Sequence, residues 1–269
     1  MTPGERASPK ALAGSLVYYA QAAVTIPVWV VLLVLALPLP YGMRYPLIYS
    51  WIAVQRFCLR WLCRVRVEYE GTGNLPAGPA IVFCKHQSML ETLLTQKVMP
   101  PQTWVLKREL LRIPVFGWGL RSAAPIAIDR SSGKRALREV VRQGRTRLRQ
   151  GIWVVVFPEG TRVPPGRTRS FGAGGAMLAA ETEAPVVPVA HNAGEHWLRG
   201  RILIKPGIVR VRIGPAIDTA GLKPREINAR AKQWIDTNTE ALAARPRPCG
   251  ARRGKARVGR SAGSRRAPR

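Results

Sequence analysis

The stretch KHQSMLE, residues 85–91, follows the apolar run AIVFC and places His86 five positions before Glu91. A histidine paired with a carboxylate is a general-base arrangement. The carboxylate bonds one ring nitrogen, fixes the tautomer and stabilises the imidazolium, while the other nitrogen takes a proton from a hydroxyl. If both residues sat inside one helix, five steps of about 100° would leave them about 140° apart, on different faces. The dyad therefore needs His86 in a loop that bends back towards Glu91. The same letters also carry a plainer reading: Ser88 and Glu91 fit the S-x-x-E capping box, in which serine caps a helix start and glutamate reaches back to it. Capping and proton chemistry are compatible at a strand-to-helix junction. His191 and His196 have no comparable neighbours and read as structural.

A second constellation is VVVFPEGTR, residues 154–162. A buried strand running into Pro158, a Gly160 that permits an unusual turn, and then Thr161 and Arg162 would deliver polar groups into a crevice at a strand end. Arg162 can bind a phosphate bidentately, and Glu159 can orient it or accept from a hydroxyl. The plain alternative is a tight turn with a surface salt bridge. The run IAIDR ends in Asp129 and Arg130, and VVPVAHN carries Pro188 inside an apolar run, which predicts an edge strand or a bulge. Cys58, Cys63, Cys84 and Cys249 lack the spacing of a metal site and read as unpaired thiols, so no metal is expected.

Positioning these residues takes alternating elements. Apolar, β-rich runs lie at 80–84, 103–107, 125–129, 152–157, 185–190 and 201–214, the last predicted as a hairpin around Pro206-Gly207. Between them, KRALREVVRQGRTRLRQG gathers Leu137, Val140, Val141 and Leu148 on one helical face, and REINARAKQWIDTNTEAL gathers Ile227, Ala231, Trp234, Ile235 and Leu242. Strands alternating with helices predict an α/β domain over 68–244.

Residues 16–39 contain no charge and as a helix would span about 36 Å, which reads as a membrane segment, transmembrane or deeply interfacial, with Pro27 as a point of bending. Residues 45–67 set Arg56, Arg60 and Arg64 beside Trp51, Val54, Phe57 and Leu62, the pattern of an interfacial helix. Residues 1–67 thus form an anchor. The excess of arginine after the apolar run puts the remaining chain on the cytoplasmic side. Forty-three Lys and Arg against 15 Asp and Glu give a formal charge of +28, which calls for a polyanionic partner. Residues 245–269 hold ten basic residues and no acid, and read as a disordered tail suited to anionic headgroups or RNA.

Taken in order, HQSMLE (86–91), APIAIDR (124–130), FPEGTR (157–162) and VPV (187–189) resemble the blocks of the PlsC-like lysophosphatidate acyltransferases, a family of glycerolipid acyltransferases, over roughly residues 65–215. FPEGTR is specific, and the ordered set more so. The resemblance implies a mixed sheet flanked by helices on a membrane, the bacterial inner membrane, with the catalytic domain facing the cytoplasm. It implies transfer of an acyl chain from acyl-CoA or acyl-ACP to the free sn-2 hydroxyl of lysophosphatidate, without an acyl-enzyme and without a cofactor. His86 then resembles the base and Glu91 its partner. Glu159, Gly160, Thr161 and Arg162 resemble the acceptor-binding block, with Arg130 and Lys107 as further phosphate ligands. This sequence departs from the family in having Glu91 for the usual Asp, Ala124 for a Gly, and Gly172 where many members carry lysine. The changes at Ala124 and Gly172 leave glycerol 3-phosphate, another lysolipid or a lipid A precursor open as acceptors. A nucleic-acid-binding membrane protein would explain the charge but not FPEGTR, and the tail lacks interleaved aromatic residues for base stacking, so no specific nucleic acid is expected.

Overall fold

The computed structural model describes residues 8–99, 101–198 and 200–244. The tail 245–269 and Cys249 lie outside them. Seven strands, β1 (Val65–Glu70), β2 (Ile81–Cys84), β3 (Gln102–Lys107), β4 (Ile126–Ile128), β5 (Trp153–Val156), β6 (Val186–His191) and β7 (Gly207–Ile213), form one mixed sheet in the order β1-β7-β6-β2-β5-β3-β4. The strands β2 to β6 run parallel to their neighbours, while β7 is antiparallel to β6 and parallel to β1. The central strands are continuous apolar runs because both faces of the sheet are covered. Side chains alternate across it: Val82, Cys84, Trp153 and Val155 join one core, and Ile81, Phe83, Val154 and Val156 the other.

The first core is closed by α1 (Pro9–Leu35), α2 (Tyr41–Trp61) and α3 (Leu90–Leu94), through Tyr18, Ile52, Leu59, Leu90 and Leu94. The second is closed by α5 (Lys134–Arg149), α6 (Ala173–Thr182) and α8 (Pro224–Ala243), through Val140, Val141, Leu178, Ile227, Ala231 and Ile235. Two shorter helices, α4 (Phe116–Ser122) and α7 (Ala193–His196), lie in connections.

The 27-residue α1 is about 40 Å long, enough to cross a hydrocarbon core. Along it Val24, Val28, Val31 and Leu35 are exposed. It packs on α2 with internal polar pairs: Gln21 Nε2 donates to Gln55 Oε1 (2.9 Å), Gln55 Nε2 to Thr25 Oγ1 (3.2 Å), and Trp29 Nε1 to Ser50 Oγ (3.0 Å).

Two local expectations are corrected and a third is narrowed. The helix predicted over 45–67 ends at Trp61; the alternation VRVEYE makes Val65–Glu70 a strand, Arg64 sits at φ +55° between the two, and the buried face of α2 is Tyr45, Ile48, Ile52, Gln55 and Leu59, with Phe57 and Trp61 turned outward. No hairpin forms at Pro206-Gly207. The backbone before it is bound elsewhere, Ile204 N–H to Ser15 Oγ on α1 and Lys205 N–H to the His196 carbonyl, so only Gly207–Ile213 enters the sheet. Pro188 lies in an interior strand, so of the edge or bulge expected there it is the bulge that forms. It is tolerated because the β6–β7 ladder is interrupted there: Val189 pairs with Ile213 but Val186 with Ile217, one residue more on the β7 side, and the Pro188 carbonyl still accepts from Gly214 N–H (2.9 Å).

Candidate active site

Because β2 to β6 are mutually parallel, their C-terminal ends share one edge of the sheet. Lys85 and His86 follow β2, Lys107 ends β3, Asp129 and Arg130 follow β4, FPEGTR follows β5, and His191 ends β6. One edge thus collects every block singled out in the sequence.

His86 lies in the loop before α3, and its Nδ1 is 2.7 Å from Glu91 Oε1. The Glu91 carboxylate is fully buried and also accepts from the backbone N–H groups of Gln87 (3.0 Å) and Ser88 (2.9 and 3.0 Å to its two oxygens). It therefore caps the helix and holds the imidazole together. The serine half of the capping box differs from expectation: Ser88 Oγ accepts from Leu90 N–H (3.2 Å), one residue short of the box. With Nδ1–H given to a carboxylate, Nε2 presents a lone pair, and no described residue bonds it. The ring stacks on Phe157 at 4.1 Å between centroids, inclined by 21°, which leaves the side chain 15% exposed.

The FPEGTR turn grips this loop from β5. Glu159 is buried, with Oε2 accepting from His86 N–H (3.0 Å) and Oε1 from Lys85 Nζ (2.5 Å). Val163 N–H donates to the His86 carbonyl (2.7 Å), and Arg162 Nε to the Ser88 carbonyl (2.9 Å). Gly160 sits at φ +70°, a left-handed position that favours glycine, and its carbonyl accepts from Arg130 Nη1. Asp129 caps the turn after β4 by accepting from Ser131 N–H (3.0 Å) and Oγ (2.6 Å). Thr161 is half-buried between Gly160 and Arg162. Lys107 is half-exposed and pairs with Glu109 at 3.2 Å.

His191 accepts from Ala193 N–H at Nδ1 (3.2 Å) and donates from Nε2 to the Lys85 carbonyl (2.7 Å), the pattern of a neutral ring; burial lowers its pKa. It positions the loop rather than moving protons. Burial, reinforced by Glu91 and Glu159, pushes the Cys84 thiol well above its ordinary range, so no thiolate nucleophile is available there. Sequence reasoning missed Lys85, whose ammonium also meets the Arg167 carbonyl (3.3 Å) and Asp236 of α8 (3.8 Å). A lysine next to the base at the end of an apolar strand was the available signal. Among the described residues no cluster of metal-ligating side chains occurs.

Ala124 has φ +47°, a left-handed conformation costly for any residue with a Cβ. Its carbonyl is held there by Thr103 Oγ1 (3.1 Å) and Arg147 Nε (2.8 Å). Ala124→Gly is expected to gain about 1 kcal/mol after glycine's own entropic cost, raising Tm by about 2–4 °C with activity unchanged, as read by thermal unfolding in detergent.

Comparisons with known proteins agree with this geometry. Residues 66–192 match the family model described as Acyltransferase. The 1-acyl-sn-glycerol-3-phosphate acyltransferase of Pseudomonas aeruginosa is 42% identical over 201 residues, covering 73% of this chain and 78% of that protein. The corresponding alpha enzyme of Mus musculus is 32% identical over 176 residues, 64% of this chain and 62% of that one. The crystal structure of the 1-acyl-sn-glycerophosphate acyltransferase PlsC from Thermotoga maritima superposes with a TM-score of 0.73 at 27% identity, covering 87% of this chain and 96% of that one. With its dyad and FPEGTR turn meeting at one sheet edge, the chain belongs to the PlsC-like family of 1-acyl-sn-glycerol-3-phosphate acyltransferases.

Proposed function

We propose that this acyltransferase moves an acyl chain from acyl-CoA or acyl-ACP to the sn-2 hydroxyl of lysophosphatidate, giving phosphatidate for phospholipid synthesis. The observation that carries the reading is His86, tied through Nδ1 to buried Glu91 with Nε2 left as a lone pair. In that tautomer Nε2 accepts the hydroxyl proton as the acceptor oxygen attacks the thioester carbonyl. The tetrahedral intermediate collapses, the carbon–sulfur bond breaks, and the departing thiolate takes the proton back from Nε2. Glu91 steadies the transient imidazolium.

The phosphate of the acceptor is assigned to Lys107, Arg130 and Arg162. In support, all three leave the same edge of the sheet, and the terminal nitrogens of Arg162 have no partner among the described residues. Glu159, Gly160 and Thr161 shape the turn that presents Arg162. The membrane anchor is assigned to the residues before β1 rather than to 1–67, since Val65–Glu70 belongs to the sheet, and the catalytic unit to the chain from Val65 to residue 244, on the cytoplasmic face of a bacterial inner membrane rich in anionic lipid. The support is the long apolar α1 and the strongly basic chain.

The test is acyl transfer by the purified protein in detergent, with lysophosphatidate, glycerol 3-phosphate or a neutral lysolipid as acceptor. Phosphatidate formed from lysophosphatidate in preference to the others supports the assignment; preference for a neutral lysolipid overturns it. Within that assay Arg162→Ala is expected to raise KM for lysophosphatidate by roughly 10- to 100-fold, the worth of a lost charge-assisted hydrogen-bond pair. A KM change confined to the thioester donor would place Arg162 in the wrong half of the reaction.

A further inference from the structure

We infer that the connection between β3 and β4, residues 108–122, is a second membrane-contact element, seated in the interfacial region of an anionic bilayer beside α1. The inference rests on the lysophosphatidate reading for its purpose, but its geometry stands apart from it. A connection between parallel strands ordinarily packs a helix against the sheet. This one makes a 3-10 turn, Arg108–Arg112, and the short α4, and leaves Leu110, Ile113, Phe116 and Trp118 exposed, the last at 49%. Arg108, Arg112 and Arg121 of the same segment are exposed too, while its one acid, Glu109, is already paired with Lys107.

The patch continues the lipid-suited surface of α1. A Cβ on Gly119 would lie 2.9 Å from Val30 Cγ2, so α4 lies directly on α1, in the half where Val24, Val28, Val31 and Leu35 are exposed. The turn that sets α4 in place is specified: Val115 has φ +62° and ψ −65°, and Phe116 N–H donates to the Pro114 carbonyl (2.7 Å), a γ-turn strained for a β-branched residue. Large aromatic and aliphatic side chains with arginines in the same short segment are matched by acyl chains beneath anionic headgroups. A protein partner of ordinary composition would have to supply acids for the arginines as well as an apolar groove, and a second copy of so basic a chain is electrostatically disfavoured. The segment starts one residue after Lys107 and leads back through β4 to Arg130. Seated this way, it holds two of the three phosphate-ligand candidates, Lys107 and Arg130, at headgroup level, so a lysolipid reaches the site without leaving the interface.

The test uses the full chain on vesicles of phosphatidylcholine with phosphatidylglycerol. A polarity-sensitive fluorophore on Ile113→Cys, with Cys58 and Cys249 replaced by serine, is expected to shift to the blue on vesicle addition, while the same fluorophore on exposed Gln233→Cys of α8 does not. Phe116→Ser/Trp118→Ser is expected to lose tenfold or more in kcat/KM on long-chain lysophosphatidate presented in vesicles, yet stay within twofold of wild type on a short-chain, water-soluble lysophosphatidate. No blue shift at position 113, or equal losses on both acceptors, overturns the inference. So does a shift that appears without vesicles and grows with protein concentration, which would mean that the patch pairs with a second copy. If the wild type acylates no lysophosphatidate, the functional reading fails, and the fluorophore alone decides whether the segment meets the bilayer.

Discussion

His86→Ala is expected to form phosphatidate about 10²- to 10⁴-fold more slowly than wild type, the usual worth of a positioned general base, with vesicle binding unchanged. The separation of the two effects follows from where the loop's bonds go. Glu91 keeps its backbone donors on Gln87 and Ser88 when the imidazole is removed, so the start of α3 stays capped. Glu159 bonds the backbone N–H of residue 86 rather than its ring, so the FPEGTR turn keeps its hold too. The membrane contacts proposed above, through α1, α2 and residues 108–122, do not involve the ring, whose partners are Glu91 and Phe157. Turnover at saturating lysophosphatidate and thioester, beside circular dichroism of the same preparation, checks the expectation. A folded His86→Ala enzyme within threefold of wild type would sink the base assignment. Glu91→Gln sharpens it: an amide can present its N–H to Nδ1 and so select the tautomer that blocks Nε2, and a loss comparable to that of His86→Ala is expected although the ring is intact.

The dyad was legible in the sequence because it is local: the six residues 86–91 cover the loop and the first helical turn, and the S-x-x-E pattern already demands that Glu91 reach back. The contacts between Glu159 and His86 N–H, Arg162 and Ser88, and Arg130 and Gly160 were not legible, since they depend on β5 lying between β2 and β3, an order that no local pattern records. The same limit explains the missing hairpin. The string RILIKPGIVRVRIG alternates like two strands around a Pro-Gly turn, but Ser15 of α1 and the carbonyl of His196 claim its first half. Strand β1 was hidden because Arg64, in the turn before it, continues the four-residue spacing of Arg56 and Arg60 and so carries the helical pattern past the end of α2. The α/β domain itself follows from the alternation of apolar runs with amphipathic stretches, and that expectation holds, as does the mixed sheet that the resemblance implied.

Lys85→Met is expected to cost about 3–5 kcal/mol of stability, which for a chain of this size is a fall in Tm of roughly 10 °C. Lys85 is 1% exposed and its ion-pair partner Glu159 not at all, at 2.5 Å. Removing the ammonium leaves a buried carboxylate whose remaining donor is the His86 N–H, and Asp236, itself acidic, cannot replace the lysine. Methionine matches the length of the lysine stem, so the loss is one of charge pairing, not volume. The double variant Lys85→Met/Glu159→Gln removes both charges yet leaves an amide oxygen for His86 N–H, and it is expected to recover at least half of the lost stability. Thermal unfolding of the two single variants and the double one measures the coupling directly. A Lys85→Met protein as stable as wild type would mean that the pair is solvated in solution. Recovery of stability in the double variant without recovery of turnover would mean that the ionised Glu159 sets the angle at which His86 meets its substrate, since the two proteins would then differ in the loop's electrostatics and not in whether it is folded.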